Sequence, residues 1–151
     1  MNLKTSVTLA QTDRYRFEID FGEAIVPLGV DEPPPIGDGE GPAPEQLLAA
    51  SVGYCLAASL FFALTKYRQD GGGIRASAEC TVERNEAGRL RITAIDVELR
   101  LAADVATLHQ AHLERALTQF ENFCTVSESV KSGIPVKVSV SDCSGIPLNP
   151  A

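Results

Sequence analysis

Two cysteines, far apart in the chain, have the settings from which thiol chemistry can be built. Cys55 lies near the middle of a stretch without a single charge, Gln46 to Thr65, and Cys124 stands immediately before Thr125-Val-Ser-Glu128, a pattern that starts helices. Only the thiolate is nucleophilic, so the question at each position is what would hold the negative charge. Around Cys55 the uncharged stretch offers nothing, and burial alone raises a thiol's pKa; an activating cation has to come from another segment or another chain. Cys124 is better served, because the amides of a helix start point positive partial charge towards it. Packing as a small hydrophobe stays open for both residues. Cys80 shares the parity of Ala76, Ala78 and Val82 and is expected to face the core, while Cys143, in Ser141-Asp-Cys-Ser144, has nothing to organise it.

Composition narrows the chemistry further. The 151 residues suit one domain, expected over residues 1–151, and 44% apolar content is ample for one core. A net charge of −7 with only 13 Lys and Arg, well dispersed, leaves no footprint for nucleic acid. Met1-Asn-Leu-Lys-Thr-Ser6 alternates polar and apolar residues where a secretory signal would run continuously apolar, so a cytoplasmic protein is expected. In that reducing setting cysteines are read as buried residues, metal ligands or catalytic thiols and not as a disulfide framework. There is no Cys-x-x-Cys pair, and His109 and His112 are distant in sequence from every cysteine; neither a metal nor a cofactor is expected.

The elements that must position these thiols can be read from periodicity. Leu3 to Leu9 and Tyr15 to Phe21 alternate around a Gln11-Thr-Asp13 turn, which predicts a hairpin, and a third strand is expected over about Ala24 to Val30. Asp31-Glu-Pro-Pro-Pro-Ile-Gly-Asp-Gly-Glu-Gly-Pro42 forbids regular structure. A long helix should start at Pro44, with Glu45 in its first turn, and stop after Asp70 at Gly71-Gly-Gly73. Its apolar portion approaches the length of a membrane span, yet its many small residues and the amphipathic strands around it argue for a buried central helix and no membrane. Residues Ala76 to Val82 and Leu90 to Leu101 form a second hairpin about Asn85-Glu-Ala-Gly88, with a bulge needed near Thr93-Ala94 to reset the apolar phase. Asp104 should cap a helix ending near Asn122, Thr125 should cap a short one closed by Gly133, and Val136, Val138 and Val140 should supply a last strand. Hairpins dominate over crossovers, so the class is α+β with largely antiparallel sheets around the central helix.

Gly41-Pro-Ala-Pro-Glu-Gln-Leu-Leu-Ala-Ala-Ser-Val-Gly-Tyr-Cys55, preceded by Asp31-Glu-Pro-Pro-Pro and followed by Phe123-Cys-Thr-Val-Ser127, resembles the family of osmotically inducible protein C and organic hydroperoxide resistance protein. The resemblance departs from the peroxidase branches at Thr125, where those usually carry proline. It implies an intertwined homodimer that reduces organic hydroperoxides and is recycled by an external dithiol. Cys55 would be the peroxidatic cysteine, Cys124 the resolving one, Glu45 the carboxylate of the Pro-Glu motif, and Arg14 or Arg16 the activating cation. A dimer-interface pocket with side chains such as Tyr54, Phe61 and Phe123 would favour lipophilic hydroperoxides. Ten residues of straight helix put Glu45 about 15 Å from Cys55, so either the helix breaks or each site takes Glu45 from its partner. A non-enzymatic module for a small lipophilic ligand, or a redox sensor, stands as the alternative.

Overall fold

A three-stranded antiparallel sheet precedes one long helix, which packs on a two-stranded antiparallel sheet and carries two shorter helices along it. The computed structural model describes residues 1–134, 136–140, 142–144 and 146–148. Strands β1 (Thr8–Asp13), β2 (Arg16–Asp20) and β3 (Leu28–Val30) pair in that order. Helix α1 (Pro44–Lys66) leads to the pair β4 (Ile74–Arg84) and β5 (Leu90–Leu101), and helices α2 (Gln110–Gln119) and α3 (Thr125–Ser132) follow. The α+β class and the antiparallel sheets are those the alternation predicts.

Several boundaries differ for local reasons. The first hairpin reverses later than expected: Arg14, at φ +48°, makes the turn with Tyr15, the Gln11 side-chain amide donates to the Arg14 carbonyl, and β1 continues through the segment read as a turn. β3 is shorter because a turn closed from Ile25 N–H to the Gly22 carbonyl occupies its first half. α1 stops at Lys66, before the glycines. Arg68 takes the left-handed conformation, its N–H bonds the Thr65 carbonyl and Gln69 N–H bonds the Leu64 carbonyl, which together satisfy the helix end. Asp104 caps only a 3₁₀ turn, Val105–Thr107, by accepting from Ala106 N–H, so α2 starts at Gln110. Residues 136–140, expected as the last strand, take no strand conformation, and the Val140 carbonyl accepts from the Leu148 N–H at 2.8 Å. The bulge in the second hairpin is present. Thr81 pairs with Ala94 and Val82 with Ile92, which leaves Thr93 as the extra residue.

α1 positions the site, and its burial is one-sided. Leu60, Ala63 and Leu64 form the core with Leu113 and Ala116 of α2, joined by Leu99, Leu101 and Phe120. Nearer its start, α1 lies so close to β4 that a Cβ on Gly53 would stand 3.3 Å from the Ala78 Cβ. Gly53→Val places a branched side chain in that contact. It is expected to destabilise the chain by about 1–3 kcal/mol, read as a lowered urea midpoint. The opposite side of α1 carries Ala50, Tyr54, Ala58, Phe61 and Thr65 at helical spacing, all exposed. By length and composition α1 could cross a membrane, but β4, α2 and α3 pack along it.

Candidate active site

The fold brings the two cysteines together. Cys55 and Ser59, one turn apart on α1, project from the same side of that helix. Cys124 closes the 3₁₀ segment Phe120–Phe123, and its extended backbone makes it the cap of α3: its Sγ accepts the Ser127 N–H at 3.3 Å. The helix start therefore lies one residue earlier than the Thr125 cap expected from sequence, because the sulfur takes the amide that a threonine oxygen would have taken. Glu128 does not reach back to that cap; it pairs with Lys131 at 2.9 Å. The Cys55 and Cys124 thiols lie near enough to influence each other's ionisation.

Charge within this pair is unequal. Burial pushes the Cys55 thiol up and the neighbouring Cys124 sulfur adds to the effect, against weaker opposition from the N–H groups of Val126 and Thr125. Burial also opposes ionisation of Cys124, which is fully enclosed. There the Cys55 thiol, the Ser127 N–H and the hydroxyls of Ser127 and Ser59 outweigh it and hold the sulfur below the ordinary thiol range. Ser59 and Ser127 were not singled out in the sequence. The available signals were Ser59 four residues after Cys55 and Ser127 three residues after Cys124.

The other expected site residues lie elsewhere in the chain. α1 is unbroken from Pro44, so Glu45 stays about 15 Å along the helix from Cys55. Its carbonyl accepts from the half-buried Cys80 thiol at 3.5 Å, beside an open cavity of about 490 Å³ that also includes Tyr54. Arg14 reaches the Ile36 carbonyl at 3.4 Å. Arg16 binds Asp38 at 2.9 Å and Glu40 at 3.0 Å, with Asp31 3.6 Å from its Nε. Both arginines are thus engaged with the 31–42 loop, and a guanidinium at Cys55 would have to come from a second copy.

That loop folds around a buried carboxylate. Burial of Asp31 works against its charge, but the N–H groups of Glu40, Asp38 and Glu32, together with Arg16, hold its carboxyl below the usual range. A depressed folded value means the contribution to stability is present above the unfolded pKa of about 4 and is lost as pH falls through the folded value. Asp31→Asn is accordingly expected to be less stable than the parent chain at neutral pH and to lose less on acidification. Urea midpoints across that range check it.

An apolar cavity of about 630 Å³ lies between α1, β5 and α3; neither cysteine lines it, but their chain neighbours Leu56 and Ser127 do. Leu48, Val52, Leu56 and Ile95 line it, Lys131 and Glu121 stand at its polar side, and Ser127 connects it to the cap of Cys124. The aromatic lining expected from sequence is placed differently in the single chain. Tyr54 and Phe61 lie on the exposed stripe, and Phe123 stacks edge-on against Phe62 at 5.4 Å.

The model of the OsmC-like protein family matches residues 37–139, which span the end of the 31–42 loop, α1, both cysteines and the second hairpin. The chain belongs to the OsmC-like family. Solved structures share the fold at low identity. An OsmC-like protein from Mycoplasma pneumoniae is 10% identical with a TM-score of 0.70, covering 87% of this chain and 89% of that one. OhrB, the organic hydroperoxide resistance protein of Bacillus subtilis, is 16% identical with a TM-score of 0.62, covering 89% and 96%. An organic hydroperoxide resistance protein OsmC from Legionella pneumophila is 14% identical with a TM-score of 0.63, covering 86% and 92%. No curated protein sequence matches the chain. The OsmC-like fold is thereby shown, and within it Cys55 and Cys124 meet at the junction of α1 and α3.

Proposed function

We propose that this OsmC-like chain is a thiol-dependent peroxidase that reduces organic hydroperoxides in the cytoplasm, as a homodimer, through Cys55 and Cys124. The proximity of the two thiols, each of which shifts the other's ionisation, supports this reading: a peroxidatic and a resolving sulfur have to come within disulfide reach, with α-carbons about 5.5 Å apart in the oxidised form. The Cys55 thiolate attacks the distal oxygen of the hydroperoxide, an alcohol leaves, and a sulfenic acid forms on Cys55. Cys124 then displaces the sulfenic oxygen to give a disulfide, which an external dithiol reduces. The half-buried position of Cys55 suits an incoming substrate better than the enclosed Cys124 does. The apolar cavity nearby favours alkyl or lipid-derived hydroperoxides over hydrogen peroxide. In the dimer Glu45 of one chain would serve the thiols of the other.

A ligand-binding module is the second reading, and the volume and lining of the same cavity are what favour it. Stopped-flow consumption of cumene hydroperoxide, with a dithiol as reductant, separates the two. Turnover that outpaces hydrogen peroxide supports the peroxidase, and no turnover by the reduced protein leaves the binding module.

A further inference from the structure

We propose that the cavity between α1, β5 and α3 binds an uncharged amphiphile, and that the cluster of Glu121, Lys131 and Glu128 at its polar side turns away lipids carrying an ionised carboxylate. The inference rests on the peroxidase reading for its substrate class, an alkyl or esterified-lipid hydroperoxide, but the binding step is independent of turnover.

Two observations locate the ligand. The first is an apolar wall. Leu48, Val52 and Leu56 recur every fourth residue on α1, and Val52 and Leu56 point about 160° round the helix from Tyr54. A second copy seated on the exposed stripe of Tyr54 and Phe61 therefore covers the opposite side of the helix. The wall runs about 12 Å along α1. Its volume of about 630 Å³ falls within the roughly 300–1,000 Å³ of small-molecule sites. The second observation is a polar group with nothing to bind. Ser127 lines the cavity and is only 4% exposed, and its hydroxyl has no well-formed hydrogen bond among the described residues. A buried hydroxyl in that state is costly, and an oxygen on an entering ligand satisfies it. The Ser127 N–H is already committed to the Cys124 sulfur at 3.3 Å, so a ligand held by the hydroxyl is held next to that thiol.

Charge decides which amphiphile fits. Lys131 is the one cation lining the cavity among the described residues, and Glu121 at 3.1 Å and Glu128 at 2.9 Å already hold it. Two carboxylates against one ammonium leave the cluster net negative, on a chain whose own net charge is −7. An ionised fatty acid would have to displace one of those carboxylates and lie beside the other, and like charges so placed oppose binding. An ester or an alkyl hydroperoxide meets no such repulsion. All three side chains are roughly half exposed, so added salt weakens the discrimination.

Displacement of uncharged diphenylhexatriene from the reduced, full-length protein at neutral pH tests the site. Methyl laurate should displace the probe at concentrations at least about tenfold below laurate. In Glu121→Gln combined with Glu128→Gln, laurate should gain about tenfold while methyl laurate moves by less than about twofold. Salt at about 1 M should narrow the gap in the parent protein. An unchanged laurate affinity in the double variant overturns the role of the cluster. Ser127→Ala should weaken methyl laurate about fivefold and leave dodecane, which carries no oxygen, unaffected. Equal loss of both overturns the contact with the hydroxyl. Leu48→Phe and Ile95→Phe fill the cavity from different walls, and each should lose the probe with its circular dichroism unchanged. Probe retained in both, or no binding to the parent because protein fills the cavity in solution, overturns the site. In turnover, the hydroperoxide of methyl linoleate should exceed that of linoleate about tenfold in kcat/KM, and the double variant should bring the two together. Equal values in the parent overturn the discrimination and leave the peroxidase reading standing. A parent that binds methyl laurate but consumes no hydroperoxide, cumene hydroperoxide included, overturns that reading and leaves the site.

Discussion

Cys55→Ser is expected to abolish hydroperoxide turnover, by more than about 10³-fold, whereas Cys124→Ser still reduces peroxide once, slowly, and then stops. The asymmetry follows from where the two sulfurs sit. Cys55 is half-buried on α1 and can be approached; Cys124 is enclosed at the cap of α3 and reaches nothing but its neighbours. Without Cys55 no sulfur is placed to take the peroxide oxygen, and a serine hydroxyl is far too weak a nucleophile to replace it. Without Cys124 the sulfenic acid still forms on Cys55, but nothing within the chain condenses with it, and recovery then depends on external thiol. Mass spectrometry of the stalled variant should find one added oxygen on Cys55. Equal loss in both variants, with no trapped sulfenic acid in Cys124→Ser, would show that the pair does not divide the work in this way.

The thiols were legible in the sequence as separate facts, and their meeting only through the family resemblance. An uncharged run around Cys55 and a helix start after Cys124 can be read from spacing, because both are local properties. Which cysteine ionises depends on contacts between α1 and α3, and no local pattern contains those. Ser59 and Ser127 acquire their role only once the helices cross, and alone each reads as an unremarked small residue on a helix. The 31–42 loop shows the same limit. Its prolines and glycines forbid helix and strand, but the carboxylates that bind Arg16 are identified only by its folded path around Asp31. The Thr93 bulge could be anticipated because the apolar phase of β5 fails without it, and a failure of phase is visible in one strand. Residues 136–140 are the converse case: apolar alternation from Val136 to Val140 describes one face of the chain, and those residues take no strand conformation.

Tyr54→Asp combined with Phe61→Asp is expected to dissociate the proposed homodimer and remove the proposed activity while leaving the thiol pair of each chain intact. In the single chain these side chains are 77% and 65% exposed, seven residues apart on one stripe of α1 that carries no charge. Replacing them therefore disturbs little of the chain's own packing. An apolar stripe of this kind on the longest helix is what a second copy would cover, and the unbroken α1 gives that copy a chemical task, since Glu45 cannot reach Cys55 along its own helix. An aspartate buried unpaired in such an interface costs roughly 3 kcal/mol or more, so each substitution should weaken association about a hundredfold or beyond. Phe62→Ala is the informative contrast: Phe62 is 56% exposed but stacks on Phe123, next to Cys124, so its loss should disturb the chain's own packing without adding a charge to the stripe. Sedimentation of the double variant as a monomer, with thiolate absorbance retained and turnover lost, ties activity to the second copy. Wild-type sedimentation and turnover would mean that α1 presents this stripe to something other than its own copy, and that Glu45 takes no part at the thiols.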